Sequence, residues 1–235
     1  TGHYARVERR DDGVHLYRSN CSKDQAYALA QLAPAQLERL LLPLGELDKA
    51  TTRTHARRLG LPVHDKAESQ DVCFAEGRDY REVVARLHPQ TVMAGAVVAS
   101  NGEVVGAHAG VVNYTIGQRA RLPAASDGPR YVTRIDAATN TVVVGREDEL
   151  LSRELVGNEV NAIRAERFSV EPTRVRAMIR YRATPAFALA SVHEGVLRLW
   201  FEEPQRAVSP GQLVALLDAS TDEVLGAATI LPVSP

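Results

Sequence analysis

The sequence predicts an α/β segment followed by an all-β chain that ends in a small antiparallel barrel. Helix-capping signals crowd into the first 88 residues. From Ala94 onward, short β-branched runs alternate with hairpin signals at Asn101-Gly102, Asp136 to Asn140 and Glu194-Gly195. Strands this short and this closely spaced favour a small barrel. The 235 residues allow one large or two to three small domains. We place domains at 1–88, 89–154 and 155–235.

Each element follows from local chemistry. Thr1-Gly2-His3-Tyr4-Ala5-Arg6 combines small residues with His and Tyr, as where backbone approaches a ligand at a strand end. Val7 to Tyr17 reads as a hairpin turning at Asp11-Asp12-Gly13. Lys23-Asp24-Gln25 opens a helix expected to reach about Leu32, with Ser22 as N-cap. Pro34 starts a short helix through Leu42, and Pro43-Leu44-Gly45 is a turn. Asp48 caps the next helix and Gly60 ends it; its Arg53, Arg57 and Arg58 form a solvated face or, as the alternative, an RNA-facing edge. Asp65 to Gly77 is polar and reads as a loop that carries Cys73. Packing beside Val72 and Phe74 is the competing reading for that thiol. Asp79 then caps a helix to about His88, where Pro89 stops it.

Ala94 to His108 is a hairpin. Tyr131 to Ile135 and Thr141 to Gly145 form a second strand pair. The last part, from about Leu155, is again β. Arg174 to Arg182 alternates with period two, which would set Arg174, Arg176, Arg180 and Arg182 on one strand face. Four such charges repel unless they are solvated, paired with carboxylates or neutralised by phosphates. A strand containing Trp200 and a hairpin of Leu213 to Leu217 with Val224 to Ile230 complete the barrel.

Composition excludes several classes. The net charge of -1 rules out a globally basic nucleic-acid binder, so any RNA site depends on local arginine clustering. Two cysteines without a C-x-x-C pair exclude a disulfide scaffold and a cysteine-rich zinc site. No apolar run is long enough to span a bilayer, and no signal-peptide pattern opens the chain. A cytoplasmic setting is expected from this cysteine usage. The absence of an initial methionine leads us to expect that the chain is part of a longer polypeptide.

Seven stretches in order carry a resemblance: Thr1 to Arg6, Lys23-Asp24-Gln25, Pro43-Leu44-Gly45, Ser69-Gln70-Asp71-Val72-Cys73-Phe74, Tyr114-Thr115-Ile116-Gly117-Gln118-Arg119, Arg180-Tyr181 and Pro210-Gly211-Gln212. Together they resemble the bacterial tRNA-specific 2-thiouridylases. The resemblance implies the tail of an adenine nucleotide hydrolase-like ATP-pyrophosphatase domain, a small central tRNA-binding β domain and a C-terminal antiparallel β-barrel. It implies ATP-dependent transfer of persulfide sulfur to C2 of the wobble uridine through an adenylated tRNA. Cys73 would carry the persulfide and later form a disulfide with a second cysteine. Gly2 would line the ATP site. His3, Lys23, Asp24, Gln25, Arg180, Tyr181 and Gln212 would contact tRNA at its anticodon stem-loop. Mg2+ would accompany ATP, a sulfur-relay protein or cysteine desulfurase would load Cys73, and the protein would act as a monomer without membrane association.

The sequence also departs from the family. The Ser-Gly-Gly-x-Asp-Ser phosphate loop and the first catalytic cysteine are absent from these residues. Ser19-Asn20-Cys21-Ser22 replaces a stretch that usually holds an aspartate, which leaves Cys21 unexplained; we read it as structural or incidental, with a sulfur role as the alternative. Ala120 follows Gln118-Arg119 where Gln-Arg-Lys-Gly is usual. The alternative function is a non-catalytic RNA-binding β-barrel module; a barrel that only docks proteins is a third reading that no residue specifically favours.

Overall fold

The computed structural model describes residues 1–65, 79–120 and 128–232. Cys73 and its loop lie outside them. The described residues form two compact units. One is built from 1–65, 153–204 and 209–232, the other from 79–120, 128–152 and 205–208.

In the first unit, β1 (Ala5–Arg10) and β2 (Gly13–Arg18) form the expected hairpin, with Arg10 opposite Gly13 across a two-residue turn. Alternation sends Val14 and Leu16 inward and leaves Arg6, Glu8, Arg10, His15 and Tyr17 on the other face. Two short helices follow, α1 (Ala26–Leu29) and α2 (Pro34–Leu37). The expected helix from Lys23 to Leu32 is thus corrected to one turn. Its N-cap is Gln25 and not Ser22, because the Asp24 side chain is engaged with Arg18 and the Ser19 amide, which holds Lys23-Asp24 in a turn. The helix from Pro34 also stops short of Leu42. The next helix matches its signals. α3 (Lys49–Arg58) has Asp48 accepting from the Thr51 N–H, and Gly60 follows at φ +67°.

In the second unit, Asp79 caps α4 (Tyr80–Leu87) as expected. β3 (Gly95–Ala99) and β4 (Val104–His108) form the Asn101-Gly102 hairpin, and β5 (Tyr131–Asp136) and β6 (Thr141–Gly145) form the second. The hairpins join through a parallel β3–β6 pairing, in the order β4-β3-β6-β5. Val97, Val111, Val132, Val142 and Val144 form their core.

The remaining strands are β7 (Leu151–Ala162), β8 (Thr173–Met178), β9 (Ala186–His193), β10 (Val196–Arg206), β11 (Leu213–Asp218) and β12 (Glu223–Ile230). They run β12-β11-β8-β9-β10-β7 and close through β7–β12, giving the six-stranded antiparallel barrel that the sequence predicts. Closure needs Gly226, since a Cβ there would overlap the Asn161 carbonyl of β7. A bulge at Glu159, with φ +51°, absorbs the register shift.

The barrel does not stop at six strands. β2 pairs with β12, Tyr17 opposite Glu223 and Leu16 opposite Val224. Ala5, Val14, Leu16, Ala26, Leu29 and Leu37 then share one core with Ile163, Met178, Ala215, Leu217, Val224 and Ala227. Burying large side chains such as Leu16, Leu37 and Leu217 contributes roughly 1.5–3 kcal/mol each. The first residues of the chain are therefore packed onto its last strands.

Candidate nucleic-acid interface

The segment before α1 is clamped to the start of β1. The Tyr4 N–H donates to Gln25 Oε1 at 3.1 Å, and the Gln25 N–H donates to the Tyr4 carbonyl at 2.8 Å. Asp24 Oδ2 accepts from Arg18 Nε at 3.0 Å, while Oδ1 accepts from the Ser19 N–H at 2.8 Å and the Ala26 N–H at 3.3 Å. The Lys23-Asp24-Gln25 stretch is thus held from both sides, and Lys23 itself is partly exposed. The Tyr4 hydroxyl donates to Thr52 Oγ1 of α3 at 3.1 Å.

The barrel contributes a turn and a strand end. Beyond β8, Arg180 and Tyr181 stand exposed in a turn closed by the Ala183 N–H to the Arg180 carbonyl at 3.1 Å, with Arg182 at φ +62°. Gln212 is exposed just before β11, and its carbonyl accepts from the Ile230 N–H at 2.8 Å. Tyr27 of α1 links these pieces. Its hydroxyl donates to the Leu213 carbonyl at 2.7 Å, and its ring lies 6.3 Å from the Tyr181 ring. Burial pushes the Tyr27 phenol up to about 12, against the opposing charge of Arg180, so it remains a donor at neutral pH. Asn161 of β7 holds the other end of α1, donating to the Ala30 and Leu32 carbonyls at 2.7 and 2.9 Å. The structure therefore gathers Lys23 to Gln25, Arg180-Tyr181 and Gln212 around α1.

The expected four-arginine strand face does not form. β8 ends at Met178, so Arg180 and Arg182 lie in the turn beyond it. The two arginines left on the strand are matched by carboxylates. Arg174 Nε donates to Glu202 Oε1 at 2.7 Å and its guanidinium lies 4.1 Å from the Phe187 ring centre. Arg176 reaches Asp222 at 3.2 Å and the Asp218 carbonyl at 3.1 Å. Carboxylate pairing, one of the ways to relieve repulsion, has already used these charges.

A second polar cluster ties the hairpin to the barrel. His15 Nδ1 lies 2.7 Å from Glu223 Oε1, and Arg164 lies 2.5 Å from Asp12 Oδ2, 2.6 Å from Glu166 Oε1 and 2.6 Å from His15 Nε2. The Arg164 hydrogen bond, then that of His15, holds the Asp12 carboxyl well below its ordinary range.

Gly2 is exposed, and a Cβ there would meet only Leu44 Cδ1 at 3.7 Å. His3 Nδ1 sits 2.7 Å from Thr1 Oγ1. No group of three His, Cys, Asp or Glu side chains suited to a metal occurs among the described residues. The described residues contain no Ser-Gly-Gly-x-Asp-Ser loop. Cys21 is the free cysteine of the described part, and its N–H donates to Ser19 Oγ at 3.3 Å. No described helix is long and apolar enough to cross a membrane.

Sequence reasoning missed Tyr27 and Arg18. A signal for Tyr27 was present: a tyrosine two residues after Lys-Asp-Gln, in a helix otherwise built of Ala and Leu. No local pattern marks the Leu213 carbonyl as its acceptor.

Three family models match the chain in order. They are described as the tRNA methyl transferase HUP domain over residues 1–77, the tRNA methyl transferase PRC-barrel domain over 82–146 and the Aminomethyltransferase beta-barrel domain over 152–230. Similar proteins include the tRNA-specific 2-thiouridylase MnmA of Clostridium beijerinckii, 40% identical over 96% of this chain and 62% of the relative. That of Acetivibrio thermocellus is 40% identical over 98% of this chain and 64% of the relative. That of Clostridium perfringens is 42% identical over 91% of this chain and 60% of the relative. The chain thus spans less than two thirds of the length of these relatives. Matched by three successive models along nearly all of its residues, the chain belongs to the tRNA-specific 2-thiouridylase family, with its HUP domain, PRC-barrel domain and C-terminal β-barrel.

Proposed function

We propose that this chain is the tRNA-gripping and sulfur-carrying part of a tRNA-uridine 2-sulfurtransferase. The observation that carries the reading is the convergence of Lys23 to Gln25, Arg180-Tyr181 and Gln212 around α1, although the chain separates the first of these from the other two by more than a hundred residues. The exposed Arg180 and the partly exposed Lys23 supply charge for phosphate contacts, and Tyr181 supplies a ring on which a base can stack. His3 directly precedes Tyr4, whose backbone exchanges hydrogen bonds with Gln25.

In this reading Cys73 carries the sulfur. Its thiolate attacks the outer sulfur of a donor persulfide; the donor S–S bond breaks and the donor thiolate leaves. The outer sulfur of the Cys73 persulfide then attacks C2 of the wobble uridine, and the C2–O2 bond breaks, O2 departing as the leaving group that its activation has made of it. A second thiolate attacks Cys73 Sγ, so that the Cys73 S–S bond breaks, 2-thiouridine is released and a disulfide remains. Such a thiol needs thiolate character and access; the sequence reading of Asp65 to Gly77 as a polar loop suits access, while Glu68, Asp71 and Glu76 work against a thiolate wherever they lie close to it. The sulfur donor, a relay protein or a cysteine desulfurase, and the monomeric state belong to the proposal. Activation of the uridine O2 by ATP with Mg2+ is part of it as well, with Gly2 the described residue assigned to the ATP site.

The test is direct. The chain is incubated with a cysteine desulfurase and cysteine, and persulfide is located by peptide mass spectrometry. Persulfide on Cys73, absent in Cys73→Ser and retained in Cys21→Ser, is the expected result. Persulfide on Cys21 alone, or on neither thiol, overturns the sulfur-carrier assignment. Binding of tRNA to the chain at low salt tests the gripping role independently.

A further inference from the structure

We propose that Tyr27 is a positioning residue that locks the Arg180-Tyr181 turn and the Gln212 strand end against the Lys23 to Gln25 segment, so that three separate pieces of chain present one RNA-binding edge. This deepens the function proposed above and rests on it.

Four observations place Tyr27 in this role. First, it lies two residues beyond Gln25, on the helix that the Gln25–Tyr4 clamp and the Arg18–Asp24 pair fix in place. Second, its hydroxyl reaches across 186 positions to the Leu213 carbonyl at 2.7 Å, directly after Gln212. The Gln212 carbonyl is itself held by the Ile230 N–H, so the Tyr27 bond locates the strand end from which the Gln212 side chain projects. Third, the Tyr27 ring packs against the Tyr181 ring at 6.3 Å with a 43° tilt, within the range where aromatic pairs attract beyond simple area burial. Fourth, Arg180 lies close enough for its charge to act on the Tyr27 phenol, while burial keeps that phenol protonated and able to donate.

The Arg180–Arg182 turn depends on Tyr27 more than the Gln212 strand end does, since the Ile230 N–H already holds the latter. The Arg180–Arg182 turn bears a non-glycine residue at positive φ, and β8 has already ended, so no strand ladder fixes its direction. Tyr181 is 42% exposed. With the Tyr27 ring against one side, its remaining surface is directed outward beside Arg180 and Arg182, whose guanidinium lies 5.2 Å from the Tyr181 ring centre. Tyr27 itself needs no contact with RNA. It acts by reducing the number of arrangements that Arg180, Tyr181 and Gln212 must give up on binding.

The experiment measures binding of a fluorescein-labelled tRNA carrying an unmodified wobble uridine to the 235-residue chain, by anisotropy, across a salt series and well below the melting transition. The proteins are wild type, Tyr27→Phe, Tyr27→Leu, Arg180→Ala and the Tyr27→Phe/Arg180→Ala double variant. Tyr27→Phe keeps the ring and loses the bond to Leu213; we expect about three- to tenfold weaker binding. Tyr27→Leu, which also loses the ring contact, binds more weakly still. The slope of log affinity against log salt becomes shallower by part of a unit in both, because a mislocated Arg180 loses part of its phosphate contact, whereas Arg180→Ala lowers it by about one. Arg180→Ala costs less in the Tyr27→Phe background than in wild type, since a mislocated Arg180 has less to lose. A residue that merely stabilises the fold would lower the melting temperature and leave affinity, slope and coupling unchanged; that result overturns the inference alone. Equal effects of Arg180→Ala in both backgrounds do the same. Absence of binding by wild type at low salt overturns the RNA reading, and this inference with it.

Discussion

Replacing Arg164 by alanine tests whether the charged cluster joins the first hairpin to the barrel. The Arg164 side chain is 11% exposed, and its nearest deep partners, Glu223 and His15, are 12% and 4% exposed. Removing one partner of a buried pair costs about 3–5 kcal/mol, because the charge left behind has lost its solvation and gained nothing. Two features lower that figure. His15 remains 2.7 Å from Glu223 and still shares its carboxylate. The Asp12 and Glu166 carboxylates are 58% exposed and regain water when Arg164 goes, so they add little. We expect a loss of about 2–3 kcal/mol, which at 2–4 °C per kcal/mol lowers the midpoint by roughly 4–12 °C. Trp200, the single tryptophan, lies in β10 in the same unit, so its fluorescence during urea unfolding reports the relevant transition. Removing the Glu223 charge as well should recover part of the loss: Arg164→Ala/Glu223→Gln is expected to be less destabilised than the sum of the two single variants. A loss below about 1 kcal/mol for Arg164→Ala, or strict additivity in the double variant, would refute the claim that burial gives this cluster its weight.

Three further outcomes follow from particular contacts. Gly45→Ala places a Cβ into the Ala5 carbonyl and the Arg6 side chain; backbone cannot yield there, and we expect at least about 3 kcal/mol of destabilisation by urea unfolding. Asp218 resists burial through hydrogen bonds from Ser220 and Thr221 and a 2.5 Å pair with Arg167, which hold its carboxyl below the ordinary 3.8. A depressed carboxylate contributes stability that is present above 3.8 and is lost as pH falls toward its folded value; Asp218→Asn, compared with wild type by acid unfolding, should lose less stability below pH 4. Arg174→Ala removes an exposed arginine already matched by Glu202, so tRNA affinity measured by anisotropy and the melting temperature should both stay near wild type; a clear fall in affinity would restore the strand-face reading for this residue.

Several family motifs turn out to be matters of backbone geometry. Pro43-Leu44-Gly45 leaves room for β1, and the Gly45 carbonyl accepts from Ser19 Oγ at 2.7 Å. In Tyr114 to Arg119, Gln118 Oε1 accepts from the Thr115 N–H at 2.9 Å, and Gly117, at φ +85°, donates its N–H to the Val132 carbonyl at 2.7 Å. Asp24 carries a similar lesson. The family resemblance assigns it to tRNA, while both of its oxygens serve Arg18 and the neighbouring backbone. Sequence identity locates such residues without saying whether they serve the ligand or the fold.

The sequence by itself determined the hairpins, the caps at Asp48 and Asp79 and the presence of a terminal barrel. Each rests on dihedral limits or on a side chain bonding a near neighbour, so a few residues suffice. Only the tertiary structure decided that β2 extends the barrel through β12, that Glu202 and Asp222 take up Arg174 and Arg176, and that Tyr27 reaches Leu213. Backbone hydrogen bonds between distant strands carry no sequence label, and the partner of a charge or a hydroxyl is whichever group the packed core brings within about 3 Å.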